Sequence, residues 1–199
     1  MNVRDIPNLL GLFRVLVTPV LVLLVILAVP WADLTAAALL LVMAVTDIID
    51  GRLARKLKVV SALGVFLDTI SDKIFVAGAL IPLVERQLIP AWLAAVIIIR
   101  EFAVSGLRSY AAAAGEVIAA LGWGKQKMVF TVMALIWRLV DAAVVQLPGT
   151  PEPLRLLASI WYVPLAIALI LTVISGVEYF WKAWPLLRQS RPPSEQGMP

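Results

Sequence analysis

Four aspartates, Asp47, Asp50, Asp68 and Asp72, stand inside or at the ends of stretches that are otherwise apolar. A carboxylate at the centre of a bilayer costs about 2.5–3.5 kcal/mol on insertion scales, so four within residues 47–72 call for compensation. Asp47 and Asp50 are three apart, and Asp68 and Asp72 are four apart. On helices each pair shares one face. If the two helices are antiparallel neighbours joined by a short loop, all four carboxylates converge. Converging carboxylates repel one another unless cations lie between them. Two divalent ions would offset the four charges, and an all-oxygen donor set suits Mg²⁺ or Mn²⁺. The chain has no cysteine and no histidine, so thiolate and imidazole ligands are excluded and the commonest general base is missing.

The residues around the aspartates sharpen this reading. Gly51 and Ala54 extend the Asp47–Asp50 stripe toward Arg55, and Gly64 precedes Asp68 by four residues. A glycine inside a helix costs roughly 1 kcal/mol against alanine, which close approach of a ligand or of another helix offsets. Arg55 offers a planar fork of donors suited to a phosphate, while Lys56 and Lys58 read as anchors. A second set of charges lies further along. Arg100 falls deep in an apolar run, Arg108 lies nearer its end, and Lys125 and Lys127 open the next run. Two or three of these four cations could hold a phosphate monoester. Arg138 and Asp141, three apart, read as a structural pair.

These residues must be positioned by membrane helices. Of 199 residues, 62% are hydrophobic and only 15% charged, and the mean hydropathy is +0.97. Soluble domains carry roughly 25% charged residues. A soluble enzyme, a disordered tail and a fibrous protein are therefore excluded together. Apolar runs cover residues 9–29, 34–55, 63–84, 91–114, 124–146 and 157–180, with a turn-rich loop at 147–153 and a polar, proline-rich tail at 188–199. A span takes about 20 residues, so the expected fold class is an all-α integral membrane protein. It is a six-helix transmembrane bundle with a short interfacial helix over residues 2–13. The predicted organisation is one membrane domain at 1–187 and a disordered tail at 188–199. Arg4, Arg14, Arg52, Arg55, Lys56, Lys58, Lys125, Lys127, Lys182, Arg188 and Arg191 fall on one side, against Arg86 and Arg155 on the other. The positive-inside bias makes the first side cytoplasmic and puts both termini there. The same bias, with anionic lipid or phosphate partners, accounts for the net charge of +4 without nucleic acid. Trp31, Trp92, Trp123, Trp161, Trp181 and Trp184 lie near span ends, as an interfacial aromatic belt does.

The stretch Asp47-Ile-Ile-Asp50-Gly51-Arg-Leu-Ala54-Arg55, followed after eight residues by Gly64-Val-Phe-Leu-Asp68-Thr-Ile-Ser-Asp72, resembles the signature of the CDP-alcohol phosphatidyltransferase family. The resemblance implies a six-span bundle, often dimeric, with a two-metal site open to the cytoplasm, where the CMP of a CDP-linked lipid is exchanged for an alcohol. It implies one ion at Asp47, Asp50 and Asp68 and a second at Asp47, Asp68 and Asp72, with Gly51, Ala54 and Arg55 along the nucleotide. Asn8 to Arg14 with Pro19, Arg100-Glu101 with Ser105 to Arg108, Gly124 to Lys127, and Thr172 to Tyr179 resemble segments of the phosphatidylglycerophosphate synthase branch of that family. Gly11, Met128 and Thr131 depart from that branch. The branch implies CDP-diacylglycerol as donor and sn-glycerol 3-phosphate as acceptor, held by Arg100, Arg108, Lys125 and Lys127, in a homodimer of a bacterial inner membrane. Without histidine, Asp72 is the expected base for the acceptor hydroxyl. Inositol phosphate, serine or phosphatidylglycerol stay open as acceptors. Outside this class, acidic residues in spans could mark a cation channel or carrier, and a catalytically silent scaffold is the third reading.

Overall fold

A computed structural model describes residues 6–57, 62–116 and 122–189. These residues form α1 (Ile6–Ile26), α2 (Pro30–Leu57), α3 (Ala62–Glu85), α4 (Ala91–Ala113), α5 (Gly122–Gln146), α6 (Glu152–Ser159) and α7 (Tyr162–Gln189). No strand occurs among them. Pro30 opens α2, and Pro90 and Pro151 precede α4 and α6 in extended conformation. That is where a residue lacking an N–H does least harm. At the end of α3, Gln87 takes a left-handed φ of 57°. Its N–H reaches Val84 O at 2.9 Å and that of Leu88 reaches Leu83 O at 2.8 Å, a Schellman cap that reverses the chain.

Three segments, Pro30–Ile49, Gln126–Gln146 and Glu152–Arg188, are long and apolar enough to cross a membrane, and Gly11–Ile26 is a shorter apolar helix. Large apolar side chains such as Leu16, Ile99 and Val145 are about two-thirds exposed, at 65%, 66% and 67%. In water such a surface would aggregate; in lipid it is the expected exterior. The interior is packed by Leu21, Leu40, Met43, Phe75, Leu80, Leu83, Ile97, Leu135 and Leu139, each buried.

Among the described residues α1 packs on both α2 and α3, α2 on α5, α3 on α4, and α7 on α4 and α5. The approach of α1 to α3 depends on Gly78. A Cβ there would lie 2.2 Å from Thr18 Cγ2, and small residues allow such contacts between membrane helices.

The ends of the predicted runs shift in two places. The sixth run does not begin at 157: residues 152–159 form the separate helix α6, and α7 starts only at Tyr162. Pro151 and Glu152 are a helix start, a proline followed by an acid in the first turn; as a turn-rich loop the segment hid it. α7 then continues to Gln189, past the predicted tail boundary, and residues 190–199 lie outside the described residues. At the other terminus α1 runs without interruption from Ile6. The predicted interfacial helix at 2–13 lies partly outside the described residues, and its described part continues into α1.

One end of the bundle is closed by a charged network. Arg86 pairs with Asp33 through Nη1, and its Nη2 donates to Asp33 Oδ2 at 3.1 Å. Arg86 Nη1 also donates to Val25 O at 2.9 Å, and Gln146 Nε2 donates to Asp33 Oδ2 at 3.2 Å. Asp33 is fully buried. Beside it, Arg138 pairs with Asp141 at 2.6 Å, donates through Nε to Leu88 O at 2.8 Å and lies 4.8 Å from the Trp161 ring centre. The structural role predicted for Arg138 and Asp141 is the one they have. Together these groups tie α1, α2 and α5 to the connections between α3 and α4 and between α6 and α7. Breaking a buried pair by removing one partner costs about 3–5 kcal/mol. Asp33→Ala is therefore expected to lower the thermal midpoint by about 6 °C or more, as measured by tryptophan fluorescence in detergent, without changing the site at the opposite end.

Candidate active site

At the other end of the bundle, charges from five helices meet. Arg14 lies in the third turn of α1, inside an apolar sequence, and is 1% exposed. A lone buried guanidinium would be prohibitively costly. Its Nη1 pairs with Asp47 of α2 and donates to Asp72 Oδ1 of α3 at 2.6 Å. Two of the four predicted aspartates thus converge, and they do so on a cation from a third helix. The expectation placed α2 directly against α3; in the described residues α1 packs on both and carries the bridge. Asp50 lies on α2 and Asp68 on α3, three and four residues from their partners, so each shares a helix face with its pair. The side chains of Asp50, Gly51, Ala54, Arg55, Asp68 and Lys125 lie outside the described residues.

Asp72 also borders a cavity of about 300 Å³, the lower end of the range for small-molecule sites. Its polar lining comes from Thr69, Asp72 and Lys73 of α3, Arg100, Glu101, Ser105 and Arg108 of α4, Lys127 and Thr131 of α5, and Tyr179 of α7. Four cations face two carboxylates there, which leaves the cavity net positive. Three of the four predicted acceptor residues, Arg100, Arg108 and Lys127, are brought together. Lys127 is 7% exposed and its ammonium pairs with Glu101. Arg100 donates through Nη2 to Ser175 Oγ at 2.8 Å and makes only a long contact of 3.4 Å with Glu101. Adjacent residues on a helix diverge, and the closer partner of Glu101 is Lys127.

Arg14, Lys73, Glu101, Ser175 and Tyr179 are site residues that the sequence reading did not assign. For Arg14 a signal existed. An ionisable residue inside an apolar span is a functional hypothesis whatever its sign, but Arg14 reads too easily as part of the positive-inside bias. For Glu101 and Ser175 the deciding partners are far along the chain, and no local pattern announces them.

Among the described residues no group of three or more acidic side chains converges, and Asp47 and Asp72 offer two oxygen ligands of the kind a hard divalent cation takes. Both accept from the same Arg14 nitrogen.

Fold and site together define a helical membrane protein in which two aspartates that share a buried arginine open onto a basic cavity. The chain belongs to the CDP-alcohol phosphatidyltransferase family, whose model matches residues 4–178. Among its relatives is a protein of Bacillus subtilis (strain 168) named CDP-diacylglycerol–glycerol-3-phosphate 3-phosphatidyltransferase. It is 36% identical over 201 residues, covering 94% of this chain and 98% of its own length. Proteins of the same name from Pseudomonas fluorescens and Escherichia coli (strain K12) are 35% and 41% identical. The first covers 92% of both chains; the second covers 68% of this chain and 76% of its own.

Proposed function

We propose that this protein transfers a phosphatidyl group from CDP-diacylglycerol to sn-glycerol 3-phosphate, releasing CMP. The observation that carries the acceptor class is the cavity beside Asp72. Arg100, Arg108, Lys127 and Lys73 outnumber Asp72 and Glu101 in its wall, which suits a phosphate monoester and is the reverse of a cation path. The names of the relatives support the same donor and acceptor.

In this reading α1–α5 and α7 are six spans, and the site end of the bundle faces the cytoplasm, as the Lys and Arg distribution indicates. The donor's acyl chains stay in the bilayer while its diphosphate lies at Asp47, Asp50, Asp68 and Asp72, with Arg55 on a phosphate oxygen and Gly51 and Ala54 along the nucleotide. The four aspartates would hold two divalent ions, Mg²⁺ or Mn²⁺, which supply Lewis-acid polarisation of the diphosphate and charge neutralisation of the leaving group. Arg100, Arg108, Lys125 and Lys127 hold the acceptor's phosphate. Its primary hydroxyl forms a bond to the phosphatidyl phosphorus as the bond from that phosphorus to the bridging oxygen breaks, and CMP departs with the bridging oxygen. The hydroxyl proton goes to Asp72. Glu101 is less suited to the role because its carboxylate is engaged by the Lys127 ammonium. The family also carries the reading of a homodimer.

The deciding experiment supplies the purified protein with CDP-diacylglycerol and Mg²⁺, adds glycerol 3-phosphate, inositol phosphate, serine or phosphatidylglycerol in turn, and measures CMP. Release is expected with glycerol 3-phosphate and to be abolished by a chelator. Release with another acceptor alone would overturn the assignment. Within the cavity, Lys127→Met is expected to raise KM for glycerol 3-phosphate by about 10–100-fold, the worth of a hydrogen bond to a charged group, with a much smaller effect on KM for the donor. Initial-rate kinetics varying each substrate separately checks this.

A further inference from the structure

Helix α7 holds Arg100 from three sides. The Ser175 hydroxyl, fully buried, donates to its own helix backbone, with Leu171 O at 2.6 Å and Thr172 O at 3.2 Å. Its hydrogen is spent there, so toward Arg100 the oxygen acts only as an acceptor, and it takes the Nη2 hydrogen bond of 2.8 Å. At the next position Gly176 leaves the α7 backbone bare. A Cβ on it would lie 3.2 Å from Arg100 Cγ and 4.0 Å from Nε, so the arginine's aliphatic stem rests where any other residue would press on it. Tyr179, buried at 4% exposure, sets its ring centre 5.8 Å from the guanidinium carbon, within cation–π range. The Arg100 side chain is itself 10% exposed, and its Nε is buried without a hydrogen-bond partner. A buried charged donor left unpaired is costly, so this arrangement gains from an anion.

An arginine free to sample many rotamers would lose that freedom each time it bound a ligand. Here the loss is taken during folding. We propose that α7, through Ser175, Gly176 and Tyr179, is the positioning element that fixes Arg100 for the acceptor's phosphate, and so sets the preference for a phosphorylated over a neutral alcohol. Ser175 and Tyr179 are positioning residues in this scheme, acting through Arg100. The inference rests on the acceptor reading given above.

The test measures equilibrium binding of glycerol 3-phosphate to the full chain in nanodiscs, with CMP and Mg²⁺ binding measured in parallel. Ser175→Ala removes one hydroxyl and Gly176→Ala adds one methyl. Both are expected to weaken glycerol 3-phosphate binding about tenfold, as loss of a charge-assisted hydrogen bond does, while CMP binding stays within about twofold of the wild type. Acceptor affinity unchanged in both variants would overturn the positioning role alone, as would acceptor and CMP affinity falling together. A wild-type protein that binds CMP but no glycerol 3-phosphate would overturn the acceptor reading, and this inference with it.

Discussion

Asp72→Asn is expected to cut CMP release by about 10²–10⁴-fold, the usual worth of a positioned general base, while nucleotide binding survives. The substitution is nearly isosteric, and the amide oxygen can still accept the Arg14 hydrogen bond that the carboxylate takes at 2.6 Å. What it removes is the negative charge and with it the ability to take a proton. No histidine or cysteine is present to substitute, and the other carboxylate of the cavity wall, Glu101, is engaged by Lys127. Asp72 alone among the described aspartates both joins the acidic cluster and lines the basic cavity. It stands where donor and acceptor must meet. Single-turnover CMP release, paired with a CMP competition assay, checks the prediction. Turnover at the wild-type rate would remove Asp72 from the role.

Arg14→Met is expected to destabilise the protein strongly in chelator and to recover with Mg²⁺. Removing the guanidinium takes away the cation that Asp47 and Asp72 share. Removing one partner of a buried ion pair costs about 3–5 kcal/mol. The Asp47 and Asp72 side chains are 20% and 40% exposed, so water screens them in part and the low end applies. About 3 kcal/mol corresponds to a fall of roughly 6–12 °C in the thermal midpoint for a chain of this size. A divalent cation that binds between the same carboxylates would restore most of that loss. The readout is the midpoint of Arg14→Met with and without Mg²⁺, compared with the same pair for the wild type. A variant as stable as the wild type in chelator would show that Arg14 does not carry the cluster's charge balance.

Part of the candidate site was legible in the chain itself, and the reason is local. Asp47 with Asp50 and Asp68 with Asp72 share faces because helix geometry fixes what lies three or four residues away. Arg138 with Asp141 follows the same rule and pairs as read. The exclusion of thiolate and imidazole chemistry needed only the absence of cysteine and histidine. The long helices follow from apolar runs bounded by proline and polar residues. The missed helix α6 shows where this fails: the apolar run read from 157 onward hides a break at Ile160 and Trp161, because hydropathy measures solvent preference and not chain direction.

What the residues alone determined is a set of membrane helices, the chemistry of their donors and the facing of neighbours within each helix. What only the packing decided is which faces meet. Arg14 bonds to residues 33 and 58 positions away, and Arg100 to Ser175, 75 positions on. A helix apolar on nearly every side carries little information about its own rotation, since lipid and protein interior are alike to a leucine. The rotation is set by the few polar groups that must find partners across helices, and those partnerships exist only once the bundle has formed.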